Sequence, residues 1–346
     1  MEGRWSRVVV LGLAACGSVH NQPAADAAPS DSAPIDAPIA QQSCAGLAPT
    51  CGPSLNEDCC TSPPVPGGTF FRSYMFDTQM KLTGTASPAT VADFRLDKFE
   101  VTVGRFRAFV AAGKGLATTA PADGAGAHSK ITGSGWSSTW NTSLPTKADV
   151  QRAALICSPV GLSTWSDTAG DNENRPVNCV SWYDAMAFCI WDGGYLPTEA
   201  EWTYAAAGGD QQRRYPWSVP ANSMTLDGTY ASYSPTDGNG GTGCIGDGDS
   251  ACALTDLLRV GADAKGNGRW GQADLGGNVN EWVLDWWVSP YSMPCDNCAT
   301  LSGGTARANH GGSFNDDAPS MYPPTRFMAE PGKRDDNRGF RCARAP

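Results

Sequence analysis

The cysteines constrain this chain more than any other feature. Thirteen occur in 346 residues, and the first, Cys16, stands apart from the rest. It closes the run Leu13-Ala14-Ala15-Cys16, after Arg4, Arg7 and an apolar stretch from Val8 to Ala15 that is too short to span a bilayer. Residues 1–16 read as a bacterial lipoprotein signal peptide, cleaved before Cys16 with the thiol then acylated. An ordinary cleaved signal with an incidental cysteine is the alternative. Setting Cys16 aside leaves 13 − 1 = 12 cysteines. An even number in an exported chain favours disulfides over metal ligands or free thiols. The expected location is the periplasmic or cell-surface face of a membrane, with the lipid as anchor.

Residues 17–42 are Ala, Pro, Ser and Asp with almost no large apolar side chain, as in a disordered tether. A cysteine-rich segment follows over 43–64. Adjacent cysteines rarely bridge each other, because the ring they close is strained, so Cys59 and Cys60 reach back to Cys44 and Cys51 in either order. A zinc knuckle is the rival reading, and the compartment argues against it. Cys244 and Cys252 are close enough to bridge locally. Cys295-Asp296-Asn297-Cys298 has the spacing of a redox or zinc pair, but no second such pair lies at zinc spacing, which favours a structural disulfide.

Beyond residue 65 the chain carries ample material for a core, with 41% hydrophobic residues, 12 Trp and 11 Phe. Its 40 Gly and 25 Pro imply many turns and little long regular structure. A formal charge of −10 argues against nucleic acid or an anionic membrane surface as partner. With only three His (His20, His128, His310), a His-built metal or triad site is disfavoured.

Val65 to Phe71 reads as a strand after a Pro/Gly turn, and Val91 to Asp97 as a second. Thr102 can cap a helix from Val103 to Ala112 with Phe106, Phe109 and Val110 on its apolar face. Residues 114–175 show no periodicity. Ser181 to Asp184 is a capping box opening a helix that Gly193-Gly194 stop, and Thr198 to Glu201 opens a second that ends at Gly208. Residues 218–270 read as loop. In Asp274 to Trp282, two carboxylates flank a Gly turn whose carbonyls can point inward, a pattern that suits calcium. A capped turn with a buried Trp accounts for the same residues. The last stretch, Arg307 to Arg344, opens on a Gly-Gly-Ser-aromatic turn and closes on a strand, with a Pro- and Asp-rich loop between them where a site belongs.

Eight runs taken together resemble the formylglycine-generating enzyme, or sulfatase-modifying factor, family. They are Gly67-Gly68-Thr69-Phe70, Asp97 to Thr102, Pro176 to Ala185, Leu196 to Trp202, Tyr215-Pro216-Trp217, Gly277 to Trp282, Gly311 to Phe314 and Arg338 to Cys342. All occur in the family's order over residues 65–346. The resemblance implies an α+β fold related to the C-type lectin fold, with short helices and strands and much coil. It also implies a Cys189–Cys342 disulfide, and calcium on the Asp274 and Glu281 side chains with the carbonyls of Gly277 and Val279. A second calcium site would lie around Asp227 to Tyr233.

In the active enzymes two cysteines after the Gly-Gly-Ser turn bind copper(I), and oxygen activation turns a substrate cysteine into formylglycine. Those positions fall at Asp316 and Met321 here, and no cysteine lies between Cys298 and Cys342. A carboxylate and a thioether do not replace two thiolates, so copper is not expected. Ser313 is retained, and His310 stands where the family usually has Arg. The resemblance therefore points to an exported binding member that holds a peptide, glycan or cell-envelope component. The alternative is an oxidoreductase, making formylglycine or using iron on His310, Asp316, Asp317 and Asp335 or Asp336; a solvated acidic loop is the favoured reading of those residues. A purely structural surface protein is a third possibility. If Trp136 and Trp140 were exposed they would favour stacking on a ligand, although burial is the commoner fate of Trp.

Overall fold

Three of the four α-helices among the described residues begin where a hydroxyl takes up an orphan backbone N–H. The computed structural model describes residues 41–159, 161–235 and 243–346; the expected signal peptide, Cys16 and the expected tether up to residue 40 lie outside them. The Thr102 side chain accepts from the Arg105 amide and opens α1 (Val103–Ala111). Helix α2 (Ala148–Ala154) has no side-chain cap. Ser181 with Asp184 opens α3 (Trp182–Trp191), and Thr198 with Glu201 opens α4 (Glu199–Ala206), each as a reciprocal capping box.

The strands are short. Antiparallel β1 (Pro64–Val65), β4 (Phe94–Leu96) and β9 (Ala343–Arg344) form one sheet with β4 in the centre. The hairpin β2 (Gly68–Phe76) and β3 (Leu82–Val91) stands as a second. The third sheet runs β7 (Phe327–Ala329), β6 (Arg307–His310), β5 (Asn280–Trp286), β8 (Arg338–Gly339), with β5 and β8 parallel and the other pairs antiparallel. Among the described residues, four short α-helices, nine short strands and abundant coil make the α+β architecture that the sulfatase-modifying-factor resemblance implies.

The C-terminal strands are knit into the start of the domain by charge as well as by pairing. Arg105 and Arg344 both bind Asp97 and Asp192, at 2.7–3.2 Å. The disulfide Cys189–Cys342 ties α3 to the segment before β9. Five further disulfides join Cys44–Cys60, Cys51–Cys59, Cys157–Cys179, Cys244–Cys252 and Cys295–Cys298. Six disulfides mark an exported chain. No helix among the described residues is long and apolar enough to cross a membrane.

Two stretches differ from their reading in sequence. The cysteine-rich segment is built into the same body as the residues after it: Cys51 and Cys59 pack on Phe99, Val260 and Ala273, and the Ser43 amide donates to Asp192. From the unperiodic stretch 114–175, Trp136 and Trp140 join an aromatic cluster that packs on the Arg307 guanidinium. Arg307 lies 3.6 Å from the Trp182 ring centre and 3.7 Å from that of Trp286, with Trp140 edge-on to Trp182 and Trp136 edge-on to Trp140. Trp136 is buried, so it offers no free stacking face, and Trp140 is half-buried against the core.

Candidate functional site

The Gly-Gly-Ser turn after β6 is sewn to the loop before β5 by backbone bonds. The Gly277 amide donates to Gly311 O, Phe314 N to Asn278 O, and Gly312 N to the Asn280 side-chain oxygen, all at 2.9–3.1 Å. Gly277 has φ +86° and lies so close to the chain that a Cβ would stand 2.3 Å from Ser232 O. Only glycine fits there.

That frame sets the three residues of interest. Ser313 is buried, and its Oγ lies 2.5 Å from Asp316 Oδ2 and 2.8 Å from Asn315 Oδ1. Asn280 donates to the same Asp316 oxygen at 2.8 Å, and the Ser234 amide donates to Asp316 O. Burial raises the Asp316 carboxyl above the usual range, while the bonds from Ser313 and Asn280 pull it back. Asp317 caps the turn Ala318–Met321 through the Ser320 amide. Met321 at its end is fully buried, packed with Tyr215, Trp217, Ala231 and Tyr233. Tyr215 stacks on Trp217 with centroids 5.0 Å apart, and the Tyr322 hydroxyl accepts from Arg214 at 3.0 Å. Met321 thus acts as an apolar plug in an aromatic cluster, and Asp316 as a hydrogen-bonded strut. All twelve cysteines among the described residues are in disulfides, so those residues offer no thiolate for a soft metal.

The residues set out as a possible iron group do not converge. His310 is buried on Trp202 and shares a hydrogen bond with Glu199 at 2.9 Å, where Arg326 also binds. Asp335 pairs with Arg338 and Lys333, and the Asp336 carbonyl accepts from Asn178. Among the described residues no group of three or more His, Cys, Asp or Glu side chains is placed to hold a metal ion.

One member of the calcium set is held by an ion pair. Glu281 has both oxygens engaged: Arg341 binds them at 2.6 and 2.7 Å, and Trp202 Nε1 donates to Oε2 at 2.8 Å. A cation at Glu281 would face a buried guanidinium. Asp274 instead accepts from the Gly261 amide. Burial, then the charges of Asp274 and Glu281, push the neighbouring Glu100 well above the carboxylate range, and burial brings Asp274 up to about 6. Around Asp227 to Tyr233, Asp227 bonds the Thr229 amide and hydroxyl of its own turn. The pairing of Glu281 with a residue 60 positions away carries no local signal in sequence.

Residues 53–346 match the sulfatase-modifying factor enzyme 1-like domain. A formylglycine-generating enzyme of Thermomonospora curvata is 30% identical over 307 residues, covering 82% of this chain and 92% of that one. One from Streptomyces coelicolor is 32% identical over 81% of this chain and 87% of its own. The inactive C-alpha-formylglycine-generating enzyme 2 of Mus musculus is 31% identical, over 81% and 84% respectively.

Proposed function

The chain belongs to the sulfatase-modifying factor family, and we propose that within it this protein is an exported, lipid-anchored binding member rather than a cysteine oxidase. The observation that carries the reading is Met321: at the second family ligand position stands a thioether sealed into a core of Tyr215, Trp217, Ala231 and Tyr233. Asp316 at the first position is spent on Ser313 and Asn280. A hard carboxylate and a buried thioether do not make the paired thiolate site that copper(I) requires. The relative named as inactive supports the reading, because it keeps the same domain at similar identity.

The scaffold then holds a peptide, glycan or cell-envelope component, with the acylated Cys16 keeping it at the membrane. Competition against a chromophoric copper(I) chelator tests the site. The proposed protein leaves all copper with the chelator; retention of one copper(I) per chain overturns the reading.

A further inference from the structure

Of the six disulfides, Cys295–Cys298 spans the shortest separation, three residues, against 8 to 153 for the others. A bridge this short removes little freedom from the unfolded chain, so its contribution to stability is the smallest. Its loop is also held without it. The Thr90 amide donates to Cys295 O at 3.0 Å, Asn297 N to Thr90 O at 2.8 Å, and Ala92 N to the Asn297 side chain at 2.7 Å.

What sets the pair apart is its neighbour. Arg72 is 1% exposed, and its guanidinium reaches Ser292 O at 2.8 Å, Ser87 O at 3.4 Å, Met293 Sδ at 3.2 Å and Cys298 Sγ at 3.8 Å, with the Tyr291 ring at 4.3 Å. None of these partners is a carboxylate. Glu199 and Asp285 act on it only through space, and each is bonded elsewhere. Arg105, Arg341 and Arg344, buried as deeply or nearly so, each bind carboxylates directly. A buried cation without a bonded anion favours formation of one beside it, and the sulfur it touches is the only contact that can become an anion on reduction. Cys298 is half-buried, whereas Cys295 is 6% exposed, so Cys298 is the more accessible residue of the pair.

We propose that Cys295–Cys298 is an exchange-active disulfide that oxidises a dithiol on a peptide or protein, with Arg72 stabilising the Cys298 thiolate. A partner thiolate attacks Cys298 Sγ, the Cys295–Cys298 bond breaks, and Cys295 leaves and takes up a proton. The second partner thiol, losing its proton to solvent, attacks the partner sulfur of the mixed disulfide. Cys298 then leaves as the thiolate beside Arg72. Two electrons pass to the pair, and the partner gains one disulfide. This activity is independent of the family's copper chemistry.

The test equilibrates the oxidised full-length protein, without oxygen, against graded reduced and oxidised glutathione, followed by alkylation and peptide mass mapping. The proposal expects Cys295–Cys298 to open while the other five disulfides stay closed, and Cys298 to alkylate at a pH where an ordinary cysteine, near 8.5, is still protonated. Arg72→Met shifts the equilibrium about tenfold toward the disulfide, the effect of one unit of thiolate pKa, and Arg72→Lys restores it. The wild-type measurement stands even if Arg72→Met does not fold. A second independent readout is the ultraviolet titration of the lone Cys298 thiol in Cys295→Ser. The proposal is overturned if Cys295–Cys298 opens no earlier than the other bridges, or if Cys298 titrates in the ordinary range.

Discussion

Replacing Arg341 with Met tests the reading of Glu281 as an ion-pair partner. Both side chains are fully buried, and the guanidinium also donates to the carbonyls of Asp97, Lys98 and Ala273 at 2.8–3.2 Å. The substitution strands a buried carboxylate, which costs about 3–5 kcal/mol when one partner of a buried pair is removed. Three carbonyls lose a charged donor as well, so the loss belongs at the upper end, about 5 kcal/mol. The assay is urea unfolding at neutral pH with disulfides intact, read as a midpoint shift at unchanged slope. Glu281→Gln combined with Arg341→Met loses less than the two singles summed, because the charge left unpaired is gone. Calcium or a chelator leaves the wild-type midpoint in place. A loss under about 1 kcal/mol in Arg341→Met, together with a wild-type midpoint that falls on chelation, would refute the ion-pair account.

Other perturbations test separate parts of the structure. Cys189→Ala with Cys342→Ala opens a loop of 153 residues, costing about 5 kcal/mol on the chain-entropy scale, visible as a lower melting temperature. Burial raises Asp285 and Asp263 to about 7 and Asp274 to about 6, against about 3.9 in an unfolded chain. The folded state therefore binds more protons between those values, and stability falls as pH rises from about 5 through 7; a melting temperature that climbs over that window contradicts it. Cys16→Ser moves the protein from the membrane fraction to the soluble one, whereas unchanged partition counts against the lipid anchor. Asp316→Cys with Met321→Cys gains copper(I) binding that the parent lacks; failure of the folded variant to bind any would mean that more than two ligands separates this site from the active enzymes.

How much of this was legible beforehand depended on the range of the interaction. The caps of α1, α3 and α4 lie within three residues of the groups they satisfy, so Thr102, Ser181 and Thr198 announced them. Asp316 and Met321 were placed by the order of the surrounding runs, but not their uses, since Asn280 and Tyr215 come from distant parts of the chain. The stretch 114–175 was opaque because Trp140 packs on Arg307 and Trp182, and Trp165 on Arg107, contacts that leave no local period. Cys157–Cys179 was missed for the same reason, its partners being separated by coil with no pattern. Arg341 was the least legible, because its pairing with Glu281 spans 60 residues and leaves no local signal.

The central claim is that a domain of this family has here given up copper-dependent oxidation. Its most direct test is to incubate the purified protein, copper-loaded and supplied with oxygen and reductant, with a cysteine peptide of the sulfatase type. The product is read by mass beside an active relative such as that of Thermomonospora curvata. The account predicts that the relative converts the peptide while this protein leaves its cysteine intact; copper- and oxygen-dependent formylglycine from this chain would contradict it.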